Sequence, residues 1–181
     1  IALSGSFREL KDTSSYLNIF QSFSLESYRT AFEKMNYFRS LKNSVLITAI
    51  SVTILLLVGS MAGYAIARLK GKMGPFFQIF FLAGMIVSAQ MSIIPMYRIV
   101  NGIGIGNTIA APICLYVTSA LPFSIFLYTN FIKSGVPYAL EESACIDGAS
   151  VPYTFFRIVI PLTKPALVSI VITQGVPIWN D

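Results

Sequence analysis

The charged residues of this chain fall into a few clusters, and the stretches between them are long and apolar. Between Lys42 and Arg68 lie 25 uncharged residues, Asn43 to Ala67. Between Lys72 and Arg98 lie another 25, Met73 to Tyr97. Between Arg98 and Lys133 lie 34, opening with a glycine-rich loop, Asn101 to Asn107, that leaves Thr108 to Ile132 as one apolar stretch. Between Lys164 and Asp181 lie 16 more, Pro165 to Asn180. A helix needs about 20 apolar residues to cross the hydrocarbon core. The pattern therefore predicts membrane spans at 43–67, 74–97 and 108–132, and most of a fourth at 165–181.

Inside lipid, backbone polar groups must pair within the protein, so helices or a closed barrel are the options. Barrel strands alternate apolar and polar residues over about ten positions. The run from Val45 to Val58 does not alternate. The expected fold class is all-α, a polytopic membrane protein with a helical core.

Residues 1–42 differ in character, with six basic and four acidic side chains. Ser24 suits a helix N-cap, and Leu25, Tyr28, Phe32 and Met35 then share one face. This segment is expected to be water-exposed, with an amphipathic helix at the membrane surface. The domain reading is thus 1–42 and a membrane core of 43–181, interrupted by a polar loop at 133–164.

Composition agrees. Hydrophobic residues make up 55% of the chain and charged residues 12%, about half the charge of an ordinary soluble domain. There is no histidine, which removes the commonest general base and zinc ligand. Cys114 and Cys145 are too few for a disulfide framework or a Cys-rich metal site. No catalytic residue, metal site or nucleic-acid site is expected. The net charge of +5 fits Lys and Arg flanking spans. Arg68, Lys70 and Lys72 crowd one short loop, and Lys133, Arg157 and Lys164 follow on the same side. That side reads as cytoplasmic, although the basic residues of 1–42 lie opposite.

The loop 133–164 predicts two short helices joined by a turn. Pro137 suits a first helical turn, and Glu141 and Glu142 follow. Gly148 fits the left-handed position after a helix end. Ser150 can cap the second helix, with Pro152 in its first turn. Pro161 disfavours helical geometry at Ile160 and should stop it. A structured loop of this length between spans suggests a docking surface. An ordinary amphipathic segment at the membrane surface is the simpler alternative.

These residues also carry a family resemblance. Glu142, Ala144, Gly148, Ile158 and Pro161 stand at the spacing of the EAA loop, Glu-Ala-Ala, three residues, Gly, nine residues, Ile-x-Leu-Pro. The chain departs at Ser143 and Ile160, both mild changes. It resembles the permease subunits of binding-protein-dependent ABC importers. The stretch Leu140 to Ala149, the segment Ser24 to Arg29, the pair Asn43 and Ser44, and Trp179 to Asp181 are similar to the carbohydrate type, of the maltose and oligosaccharide kind.

The resemblance implies a permease of six spans, of which this chain would be a fragment holding the second to the fifth. It implies residues 1–42 outside and the 133–164 loop inside the inner membrane of a bacterial or archaeal cell. It implies that Glu141, Glu142, Ala144, Asp147, Gly148, Ile158 and Pro161 form the coupling loop to cytoplasmic ATPase subunits. In that role Glu142 would reach a group on the ATPase, and Gly148 would make the turn. A second permease subunit and an extracytoplasmic solute-binding protein complete the expected partners. ATP and Mg would belong to the ATPase, because this chain has no Gly-x-x-x-x-Gly-Lys-Ser/Thr phosphate loop.

Polar residues within spans are candidates for a solute path: Ser88, Gln90, Ser92, Asn130 and Gln174. No Asp, Glu, Lys or Arg interrupts a span. That disfavours the other transport reading, an ion-coupled secondary transporter, and suits a neutral, hydroxyl-rich solute. A phosphate ester, amino acid or peptide is the alternative cargo. Gly59 and Gly63 form Gly-x-x-x-Gly, which permits close helix packing, within the chain in preference to between subunits. Pro95, Pro112 and Pro122 are expected to kink or end spans.

Overall fold

The structure is a computed structural model that describes residues 36–87 and 89–181, without the side chains of Ala89 and Gln90. The chain divides into two units, Ile1–Ser44 and Val45–Asp181. Of the first, only residues 36–44 are described, and they open the first helix. The amphipathic helix expected from Ser24 lies outside the described residues, as does most of the 1–42 segment.

The described residues form helices and turns, with no strand among them. In chain order they are α1 (Tyr37–Arg68), α2 (Met73–Gly84), α3 (Ala89–Gly102), α4 (Ala110–Gly135), α5 (Tyr138–Ile146), α6 (Val151–Leu162) and α7 (Lys164–Asn180). The chain is an all-α membrane protein. Among the described residues, α1 and α4 are long and apolar enough to cross a membrane, with 32 and 26 residues. The pair α6 and α7, bent by 71° at its break, makes a third if it is one span.

In α1 and α4 several hydroxyls and one amide return to carbonyls of their own helix. The Thr53 hydroxyl donates to Ala49 O (2.7 Å), Thr129 to Ile125 O (2.7 Å), and the Asn130 amide to Phe126 O (2.8 Å). Such back-bonding satisfies a polar side chain where no water is at hand.

The stretch 74–97 is not one helix. It is α2 and α3 with a break after Gly84. At 12 residues, α2 spans roughly 18 Å at 1.5 Å per residue, short of a hydrocarbon core of about 30 Å. Its end tightens into three-residue bonds, Met85 N to Leu82 O and Ile86 N to Ala83 O, both 3.1 Å. Counting uncharged residues detects apolar length but is blind to such a break. Of the loop expected at Asn101 to Asn107, Asn101 and Gly102 are instead the last residues of α3, and the chain leaves the helix at Ile103 and turns at Gly104 with φ of +84°.

Pro161 does not stop the second loop helix. Residues Phe155–Val159 form a π-helical stretch, in which Ile160 N–H returns to Phe155 O, five residues back. A proline ring normally clashes with the carbonyl four residues earlier. The wider turn relieves that crowding, and α6 runs on to Leu162. The bend comes at Thr163, whose hydroxyl caps Val159 O (3.1 Å).

The core is built from Leu55 of α1, Ala120, Tyr128 and Ile132 of α4, Val136, Phe155 and Val159 of α6, and Ala166, Ile170 and Ile178 of α7. Gly59 and Gly63 put α1 against α4 within the chain, facing Ser124, Tyr128 and Thr129. Small residues permit this approach, and in lipid close packing supplies the attraction that water would otherwise drive. At the same end of α4, the Gln78 amide of α2 donates to Asn130 Oδ1 (3.1 Å), and Lys133 Nζ donates to Gln78 Oε1 (2.8 Å).

Candidate functional site

The helices α5 and α6 form the expected pair, with Pro137 standing just before α5 in an extended conformation rather than in its first turn. The turn between them is set by backbone hydrogen bonds. Ala149 N–H reaches Ala144 O (2.9 Å) and Gly148 N–H reaches Cys145 O (3.0 Å). These are the two bonds of a Schellman ending, which requires a left-handed residue between them. Gly148 supplies it, with φ of +81°. Ser150 is extended before α6 but makes no side-chain cap, and Pro152 stands in the first turn. The close of α5 and start of α6 are therefore fixed by local backbone chemistry.

Ala144, Asp147, Gly148 and Ile158 come together with Tyr153 along an open cleft of about 630 Å³ between the two helices. Pro161 is exposed and lines the next bend instead. The two adjacent glutamates part company. Successive helical residues point about 100° apart, so one can face in while the other faces out. Glu141 is buried, at 8% exposure. Glu142 is exposed, along with Ile146 one turn on, at 81%, and Asp147. Glu142, Ile146 and Asp147 thus form an exposed tip that stands clear of the core.

Glu141 is held by the end of α1. Arg68 Nε and Nη2 donate to its Oε1 at 2.9 and 2.5 Å, and the Tyr64 hydroxyl donates to Oε2 at 2.8 Å. Arg68 Nη2 also donates to Val136 O (2.8 Å), in the link between α4 and α5. Its guanidinium lies 5.8 Å from the Tyr138 ring centroid, within cation–π range. Both carboxylate oxygens are thus occupied, as a buried charge requires. The Tyr64 ring in turn packs on Phe155 of α6, 5.2 Å between centroids.

Sequence reasoning placed Arg68 only as a flanking charge and did not single out Tyr64. Their partner lies 73 and 77 residues away, and no local pattern reports such a pairing. Of the solute-path candidates, Ser88 and the side chain of Gln90 lie outside the described residues. Ser92, Asn130 and Gln174 sit half-buried on three separate helices, α3, α4 and α7. Asn130 is engaged in the bridge to Gln78. The hydroxyls of Thr48, Ser51 and Tyr128 are buried without a hydrogen-bond partner among the described residues.

Residues 55–181 match the family described as the binding-protein-dependent transport system inner membrane component. That covers more than half of the chain, and the chain belongs to this family. Over its whole length it is 35% identical to a melibiose/raffinose/stachyose import permease protein of Bacillus subtilis, of which it covers 66%. It is 36% identical over 77% of its length to a multiple sugar-binding transport system permease protein of Streptococcus mutans, covering 50% of that protein. It is 32% identical over 86% of its length to a trehalose transport system permease protein of Mycobacterium tuberculosis, covering 57% of it. The chain therefore spans between half and two thirds of the length of these relatives.

Proposed function

We propose that the chain is the translocating core of a permease in an ABC importer, and that its cargo is a sugar or oligosaccharide. The carrying observation is the α5–α6 pair, which turns Glu141 and Ala144 inward while Glu142, Ile146 and Asp147 stand clear of the core. A rigid helix pair of this kind docks into a cleft of a cytoplasmic ATPase subunit and passes its movement to the spans. ATP and Mg are held by that ATPase. ATP binding closes the ATPase dimer, the helix pair follows, and the permease turns from inward-open to outward-open. A loaded binding protein outside then releases its solute into the path formed with a second permease subunit.

In this reading the loops at 68–72 and 133–164 face the cytoplasm, and 1–42 and 98–107 face outward, across a bacterial or archaeal inner membrane. The sugars named for the related permeases support the cargo. So does the absence of charged residues from the spans, which suits a neutral solute recognised by hydroxyl and amide groups. The test uses the full-length protein, tagged in its own membrane. Mass spectrometry identifies what co-purifies with wild type and with the double variant Glu142→Lys, Gly148→Pro. An ATPase and a second permease should accompany wild type, and the ATPase should be lost from the variant. An ATPase absent from both samples would sink the reading.

A further inference from the structure

We infer that Arg68, Tyr64 and Glu141 form a joint that makes the end of α1 move as one body with α5, so that motion imposed on the exposed face of α5 reaches the first described span directly. The inference rests on the reading of α5 as the ATPase-facing helix, and it adds which span is driven and through which atoms.

The chain itself connects α5 to α4 through only Val136 and Pro137, both in extended conformation. Val136 is anchored in the core, but a two-residue extended link does not by itself set the angle of α5 against the spans. The carboxylate of Glu141 fixes that angle. It sits in the first turn of α5 and takes three donors from the last two turns of α1. Arg68 adds a bond to Val136 O, which pins the link itself. The charges also suit their places, a carboxylate in the first turn of one helix and a guanidinium in the last turn of another.

A merely stabilising role accounts poorly for this chemistry. A buried ion pair adds little net stability over an apolar pair of the same shape. What it supplies is a directional, length-fixed link. Glu142, the next residue, is exposed at the rim of the cleft that Tyr64, Arg68 and Glu141 line. The two glutamates thus divide the work, with one gripping the span and the other open to a partner. From α1 the motion passes to α4 across the Gly59 and Gly63 contact.

The test measures relative motion. In the full-length permease assembled with its ATPase, spin labels replace Leu69, just past the end of α1, and Leu140, in the first turn of α5, exposed at 41% and 44%. Cys114 and Cys145 are changed to Ser. Distances are recorded without nucleotide, with ATP, and with ADP–vanadate. The joint predicts one narrow distance peak, unchanged across the three states, in the otherwise unaltered protein. In Glu141→Gln the peak should broaden and shift with nucleotide. Should Glu141→Gln fail to assemble, Tyr64→Phe, which removes one bond and keeps the ion pair, must broaden the peak to a smaller degree. A peak that shifts with nucleotide while the pair is intact overturns the joint, as does a peak left unaltered by Glu141→Gln or, in its place, by Tyr64→Phe. The docking reading fails separately, if Glu142→Lys leaves ATPase co-purification unchanged. The label distance in the permease still reports the joint in that case.

Discussion

A Cβ added to Gly63 would lie 2.6 Å from the Cβ of Tyr128, with Thr129 N and Ile125 O at 3.1 and 3.3 Å behind it. Two of those neighbours are backbone atoms and cannot rotate away. Gly63→Ala therefore forces α1 and α4 apart. The cost of such overpacking is about 1–3 kcal/mol, and it exceeds the gain of about 1 kcal/mol that alanine brings to a helix interior. Gly59 is roomier. Its added Cβ would meet Ser124 Cβ at 3.1 Å and Tyr128 Cδ2 at 3.6 Å. There the helix gain should nearly offset the crowding. Thermal unfolding of the full-length permease in detergent should show Gly63→Ala clearly below wild type and Gly59→Ala close to it. Equal losses at both positions would mean the helices do not cross at Gly63.

Gly148 is exposed and a Cβ there meets nothing within 4 Å. Any penalty at this position comes from its left-handed backbone alone. Alanine should cost roughly 1–2 kcal/mol, and asparagine less, because it tolerates that conformation. The turn between α5 and α6 should loosen in the same order. Hydrogen exchange at Gly148 and Ala149, whose amides make the two closing bonds, should speed up more in Gly148→Ala than in Gly148→Asn. Unchanged exchange in both would show that the turn does not depend on its glycine.

The degree to which these features can be read from sequence differs, and for physical reasons. The α1 and α4 spans follow from charge-free length, because lipid penalises charge far more than it penalises any other local choice. Gly148 follows from its spacing after Glu142, because a helix end needs a left-handed residue at a fixed offset. The break after Gly84 leaves no charge to mark it, so 74–97 looked continuous. The survival of α6 past Pro161 depends on a π-helical turn that residue types do not announce. The opposite duties of Glu141 and Glu142 depend on the rotation of α5. The one available hint was that Glu141 lies three residues before Ala144, on the face that small residues leave free to pack. Arg68 and Tyr64 carried no hint, since their partner is on another helix.

Tyr128 is fully buried, and its hydroxyl has no partner among the described residues. Its ring fills the space beside Gly59 and Gly63. The ring and the hydroxyl should thus separate on mutation. Tyr128→Phe keeps the packing and removes an unpaired buried polar group, a change that is neutral or stabilising. Tyr128→Ala leaves a cavity and should cost about 3–5 kcal/mol. Unfolding midpoints of the two variants test this together. A loss of more than about 1 kcal/mol in Tyr128→Phe, the ordinary net worth of a hydrogen bond, would reveal a partner for the hydroxyl in the rest of the protein.

Asn130 was a candidate for the solute path, and its amide is spent on helix pairing. Its Nδ2 donates to Phe126 O, its Oδ1 accepts from Gln78, and Gln78 accepts from Lys133. A residue so engaged should behave as part of the α2–α4 contact. Double-mutant cycles between Asn130→Ala and Gln78→Ala should therefore give a coupling energy of about 0.6 kcal/mol, the usual size for a hydrogen bond between membrane helices. Uptake by the assembled importer should fall only as far as stability falls. A zero coupling energy, with uptake lost at unchanged stability in Asn130→Ala alone, would return Asn130 to the solute path. Lys133 separates the two outcomes further. If Gln78 holds it, Lys133→Met should weaken the same contact and shift the midpoint in the same direction as Gln78→Ala. A solute-binding Asn130 would leave that midpoint where it is.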